Sequence, residues 1–127
     1  MSAASDYTEN LALTWLLTSS SATRPSAWYL GLFTSATSDA GGGTEVSGGS
    51  YARQSVAFTV STSTASNSAT ITFPTASASW GTITHVAVYD ASTSGNQLFH
   101  GAVTTSKTID SGDTFQVTAG NLTITLA

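Results

Sequence analysis

The run Ala27-Trp28-Tyr29-Leu30-Gly31-Leu32-Phe33-Thr34 decides how this chain is read. Its side chains alternate: Trp28, Leu30 and Leu32 face one way, and Tyr29, Gly31 and Phe33 face the other. Apolar residues on both faces predict a central strand, either buried on two sides or meeting a partner on one.

Working downstream, a loop spans 35–49, with glycine at 41, 42, 43, 48 and 49. From Ala52 to Val60, Val56, Phe58 and Val60 alternate with Ser55, Ala57 and Thr59, which predicts a strand buried on one side. The polar run 61–68 reads as an exposed turn or hairpin tip. Ala69, Ile71 and Phe73 alternate until Pro74 stops the strand or puts it at an edge. In 82–90, Ile83, His85, Ala87 and Tyr89 share one face, and Val86 and Val88 the other. Leu98 to Val103 pairs back, and Ile109, Phe115 with Val117, and Leu122 with Ile124 and Leu126 complete the set. About seven or eight short strands with Gly and Asx turns between them predict an all-β fold, a β-sandwich or jelly roll. Neither a boundary nor a repeat divides residues 1–127, so one domain is expected.

Upstream, the pattern changes to that of a helix. Asp6 as N-cap would place Glu9 at the third helical position, as in a capping box. Tyr7, Leu11 and Trp15 recur on one helical face, and Leu13, Leu16 and Leu17 form an adjacent stripe. Ser19-Ser20-Ser21 ends the helix, and Pro25 keeps Arg24 out of helical geometry. Residues 1–20 thus form a short helical segment or arm.

Composition limits the partners. Only 8% of residues are charged, against about 25% in ordinary soluble domains. The basic residues are Arg24, Arg53 and Lys107, and the net charge is −4. Nucleic-acid binding rests on Lys and Arg neutralising phosphates, so nucleic acid is not an expected partner. No apolar run reaches the length of a membrane-spanning helix, and no basic, apolar leader opens the sequence, so no membrane partner is expected. With no cysteine there is neither a disulfide framework nor a thiolate metal site.

The search for chemistry returns little. The candidate bases, His85 and His100, lie in expected strands, where a half-buried ring bonded to a neighbour is the plainer reading than catalysis. Facing each other across a hairpin they could begin a metal site, with Asp90 as the nearby acid, but the donor set is thin. Asp110 and Asp113 flank Gly112 as an Asx-type turn rather than a calcium loop. Asp39 and Glu45 bracket the glycine run and keep that loop solvated. Gly48-Gly49-Ser50-Tyr51 lacks the last glycine of a nucleophile elbow. Trp80 reads as core, with a contact anchor as the alternative. Asn121-Leu122-Thr123 matches a glycosylation acceptor by chance. No enzyme, cofactor or metal is expected.

Several motifs in one order carry a resemblance. They are Trp28-Tyr29-Leu30-Gly31-Leu32-Phe33-Thr34, then 44–54 (Thr44 to Gln54), Ile71-Thr72-Phe73-Pro74, Trp80-Gly81, His85-Val86-Ala87-Val88-Tyr89-Asp90, and Gly120-Asn121-Leu122-Thr123-Ile124-Thr125-Leu126. Together they resemble a family of small tailed-bacteriophage structural proteins. Some members are labelled tail fibre proteins; others look like head decoration or cement proteins of β-sandwich type. The resemblance implies a virion component, a homo-oligomer such as a dimer or trimer, and no catalytic residues. The expected role is a cement protein, made in the host cytoplasm and bound outside the major capsid protein lattice, where it stabilises the shell. A tail fibre or receptor-binding appendage is the alternative. The head is favoured because 127 residues leave no room for a shaft or docking segment.

Tyr7, Leu11, Trp15 and Leu16 are the candidate partner-contact residues, being more apolar than a short helix beside a small sandwich requires. Either the helix packs one face on the sandwich and another on a neighbour, or it caps an open end of the sandwich. With so few charges to screen, binding to the partner is expected to depend only weakly on salt. Occupancy measured from low to moderate ionic strength tests this; a steep fall would contradict it.

Overall fold

The computed structural model describes residues 3–126; the ends of the expected arm and domain, residues 1, 2 and 127, lie outside it. The strands are β1 (Ala3–Ala4), β2 (Tyr29–Phe33), β3 (Gln54–Ser55), β4 (Phe58–Ser61), β5 (Thr64–Asn67), β6 (Ile71–Thr72), β7 (Gly81–Tyr89), β8 (Gln97–Ile109), β9 (Gln116–Val117) and β10 (Thr123–Thr125). The helix α1 (Asp6–Leu17) follows β1. One antiparallel sheet has the order β1-β8-β7-β2-β3. The opposing layer is split into β10-β5-β4 and β6-β9. The chain is an all-β sandwich with a short N-terminal helix.

Between the layers lies a core to which the large sheet gives Leu30, Leu32, Ile83, Val86, Val88 and Leu98. Ile71, Phe73, Phe115, Leu122 and Ile124 come from the split layer and its loops. Trp80 is buried among them, as its sequence reading held, and its indole nitrogen donates to the Gly49 carbonyl at 2.8 Å.

β2 is buried on both faces. Leu30 and Leu32 point into the core with no exposure, while Phe33, on the opposite face, stacks on Tyr89 at 6.4 Å. That second face is covered by the chain's own 44–53 segment, which brings Glu45 into a bridge with Phe33. No partner is needed there.

β7 departs from simple alternation. Between Ile83 and His85 the ladder slips, because β8 spends residues 103–106 opposite Thr84 alone. A bulge of this kind reverses the facing of every later residue. Ile83 therefore joins Val86 and Val88 in the core, and the expected grouping of Ile83 with His85, Ala87 and Tyr89 does not hold. The expected breaks after Val103 and before Ile109 are also absent, since β8 runs unbroken through 13 residues.

The expected strand from Ala52 to Val60 is broken into β3 and β4, and Val60 is exposed rather than buried. The polar run beyond it is not a free tip. Thr64–Asn67 is the middle strand of its sheet, paired to β4 and β10. Asn67 is 1% exposed. Its amide nitrogen donates to the carbonyls of Ala69 (2.9 Å) and Thr118 (3.1 Å), and its side-chain oxygen accepts from the Leu122 N–H at 2.9 Å. One buried amide thus ties β5 to the β6 and β10 approaches. Asn67→Leu would strand those partners, a loss of about 3 kcal/mol. Thermal melting is expected to show Tm lowered by roughly 10 °C; an unchanged Tm would mean water replaces the clasp.

Candidate interaction surface

The chain leaves the sandwich after β1 and rejoins it at β2, and none of residues 6–29 is buried. Only the base of this arm is fixed. Ser5, not Asp6, is the N-cap of α1, with its hydroxyl accepting from the Thr8 N–H at 3.2 Å. That hydroxyl also donates to the Gln97 carbonyl, and the Thr8 hydroxyl donates to the Leu98 carbonyl at 2.8 Å. Ser5 outcompetes Asp6 because its small side chain can enter a site 2% exposed, where an ionised carboxylate would lose its water. Asp6 and Glu9 remain in the first turn, where negative charge suits the helix dipole.

Beyond that turn the helix stands away from the core. Leu13, Trp15, Leu16 and Leu17 are 57–75% exposed, and Tyr7 is 38% exposed. Of the expected contact residues, Leu11 and Trp15 come together: with Ala12, Ala22 and Arg24 they line a hollow between the helix and the returning chain. Tyr7 lies one turn nearer the base, beside Asp39 and Tyr89. Leu16 lies on the adjacent stripe with Leu13, open to solvent. α1 has no buried residue, only the half-buried Thr8, Leu11 and Thr14, so it neither caps the sandwich nor packs a full face on it.

The other candidates resolve as local structure. His85 Nδ1 is bonded to the Thr84 hydroxyl at 2.8 Å, and His100 Nε2 to Asp39 Oδ1 at 2.7 Å. The histidines are not cross-strand partners: His85 pairs with Ala102, and His100 with Ala87. Asp90 is occupied by the Asn96 amides. Asp110 and Asp113 do lie in a tight turn, but it is closed by the backbone, the Asp113 N–H donating to the Asp110 carbonyl at 3.0 Å. The Asp113 carboxylate reaches back to accept the Asp110 N–H, so it is not the expected Asx turn. Asp6, Glu9 and Asp39 bring carboxylates within 4.8 Å of one another, all on exposed residues. Sequence spacing gave no sign of that meeting, because the Asp39 loop reaches α1 only through the fold.

Glu45 does not merely solvate its loop. It accepts from Arg53 Nε and Arg53 Nη2, each at 2.8 Å, and from the Tyr51 hydroxyl at 2.6 Å. Arg53 also lies 3.6 Å from the centre of the Tyr89 ring and donates to the carbonyls of Ala91 and Ser94. Burial pushes the Glu45 carboxyl up, but the hydrogen bonds from Arg53 and Tyr51, with the charge of Arg53, together hold it below its ordinary range. Burial and the bond to Glu45 push the Tyr51 phenol well up.

Comparison with known proteins adds the family. The model of the family described as Podophage GP4 fiber I protein gp80 matches residues 3–125, and the chain belongs to that family. No curated protein matches it.

The Glu45–Arg53 pair makes stability fall in acid. With its folded pKa below the ordinary 4.5, Glu45 contributes fully above that value, and the contribution drains away as pH falls through the folded pKa. Glu45→Gln is expected to cost about 2 kcal/mol at neutral pH. Its Tm gap from the parent should close as melts are taken toward acid; a constant gap would show that the carboxylate charge contributes nothing.

Proposed function

We propose that this member of the podophage fibre family is a non-enzymatic structural subunit of the tail fibre, held in the virion through the exposed apolar side of α1. The observation that carries the reading is a 12-residue helix without one buried residue, presenting Leu13, Trp15, Leu16 and Leu17 to solvent. An isolated helix shorter than about 12–15 residues is marginal in water, so α1 needs a surface to cover it. The family description supports a virion structural protein, and it favours the fibre over the expected cement protein on the capsid surface. The size argument for the head has no force, because a shaft or docking segment can belong to other chains of the fibre. The major capsid protein is accordingly not the partner this reading requires.

Trp15→Glu with Leu16→Glu changes the contact surface and leaves the sandwich core untouched. In complementation of phage lacking the native chain, this variant is expected to enter particles at least about tenfold less than the parent, with an unchanged far-ultraviolet circular dichroism spectrum. Gold labelling of parent particles should mark the tail at a few copies. Label spread over the head in hundreds of copies, or normal incorporation of the variant, would defeat the proposal.

A further inference from the structure

The bulge in β8 does more than shift a register. Its residues 103–106 stand opposite Thr84 alone, and they form one wall of a pocket of ≈ 580 Å³ between the two layers. The opposite wall is β9, the turn closed by the Asn121 N–H on the Thr118 carbonyl, and Thr123 of β10. Leu30, Phe115 and Leu122 of the core lie at its floor. Around them stand Thr104, Thr105, Gln116, Thr118, Asn121 and Thr123, and no Asp, Glu, Lys, Arg or His lines the pocket. We infer that this pocket is a binding site for a neutral saccharide. The inference goes beyond the fibre reading and makes no use of α1.

The lining chemistry selects the ligand. Small-molecule sites are clefts of about 300–1,000 Å³ with a few polar groups over an apolar base, which is the build of this one. Threonine hydroxyls and carboxamides each donate and accept, as sugar hydroxyls do, whereas a carboxylate only accepts and an ammonium only donates. The apolar floor suits the C–H face of a sugar ring. With no charge in the lining, nothing compensates a charged ligand for the water it would lose. The polar groups are also available. The hydroxyls of Thr104, Thr105 and Thr123 have no hydrogen-bond partner among the described residues. Gln116 donates from its amide nitrogen to Thr72, and Asn121 from its own to Thr118, which leaves both side-chain oxygens free to accept.

A peptide strand is the competing occupant, because among the described residues no strand pairs with β8 beyond His100 on the edge away from β7. The bulge at 103–106 and the exposed Lys107 interrupt that edge, and such devices keep a foreign strand from adding to a sheet. The same bulge carries Thr104 and Thr105 to the pocket. It thus closes the edge to a strand while supplying hydroxyls to a sugar.

The test is amide NMR of the full chain titrated with neutral oligosaccharides of glucose, of galactose and of N-acetylglucosamine. At least one of them is expected to bind with a Kd of about 1 mM or tighter, shifting the amides of 102–105 and 116–123. Ala102→Trp fills the pocket from an exposed strand position, and Gln116→Ala with Asn121→Ala removes the carboxamides. Each variant should weaken that binding at least about tenfold while its amide spectrum away from the pocket stays that of the folded parent. No shift with any of the three sugars, shifts confined to other surfaces, or full binding by both variants would overturn the inference. Tighter binding of the corresponding uronic acid oligosaccharides would also overturn it. So would tighter binding of an extended Thr- and Val-rich peptide along 102–108, which would make the edge a strand-addition site.

Discussion

Everything in this fold is arranged around a strand that has no free face. β2 sets Leu30 and Leu32 into the core while Gly31 and Phe33 meet the chain's own loop. The loop approaches so closely that a Cβ on Gly31 would lie 2.9 Å from a Glu45 carboxylate oxygen. The glycine thus lets an ion pair lie directly over the sheet. Tyr51 completes the arrangement: its hydroxyl accepts the Leu32 N–H at 3.0 Å and donates to Glu45, while its ring meets Phe73 and Trp80. One tyrosine therefore joins the polar roof to the apolar core.

In a chain with so little charge, polar satisfaction falls to hydroxyls, amides and backbone. Threonine pairs face each other across strands, as between Thr82 and Thr108 and between Thr64 and Thr125. Among the described residues no buried side-chain nitrogen or oxygen is left without a partner. Such bonds are short-ranged, so they fix register and turn shape and add little attraction at a distance. The Glu45–Arg53 pair departs from this, and it lies where the long loop has to be held against the sheet.

How much could be read in advance follows from the kind of signal involved. Alternation at β2 was legible because both faces are apolar, and the helix because its period and flanking serines are local. The bulge in β7 was not legible, since it depends on extra residues in β8 that only pairing reveals. Asn67 was hidden in a run of small polar residues, where a buried clasp and a solvated tip have the same composition. Glu45 and Arg53 were separately visible, but their pairing depends on the course of the loop between them. For the surface, the apolar excess of Tyr7, Leu11, Trp15 and Leu16 was readable, whereas the exposure of Val60 and Leu126 was not. Both of those residues sat in patterns that predicted burial.

That last failure is informative about how the molecule works. Alternation marks residues that avoid water, and it does not say which chain removes them from it. Val60 and Leu126 obey the pattern of core residues yet remain exposed, as do Leu13, Leu16 and Leu17 on the helix. An apolar pattern that one chain leaves unfulfilled is the kind of surface whose burial assembly can supply. The helix illustrates the energetic logic. It is pinned by Ser5 and Thr8 at one end, so its direction is set before any partner arrives, and less orientational freedom is lost on docking. On the reading proposed above, its apolar residues are free to bind something other than their own core, which is what a subunit needs if its contribution to the virion is attachment and shape.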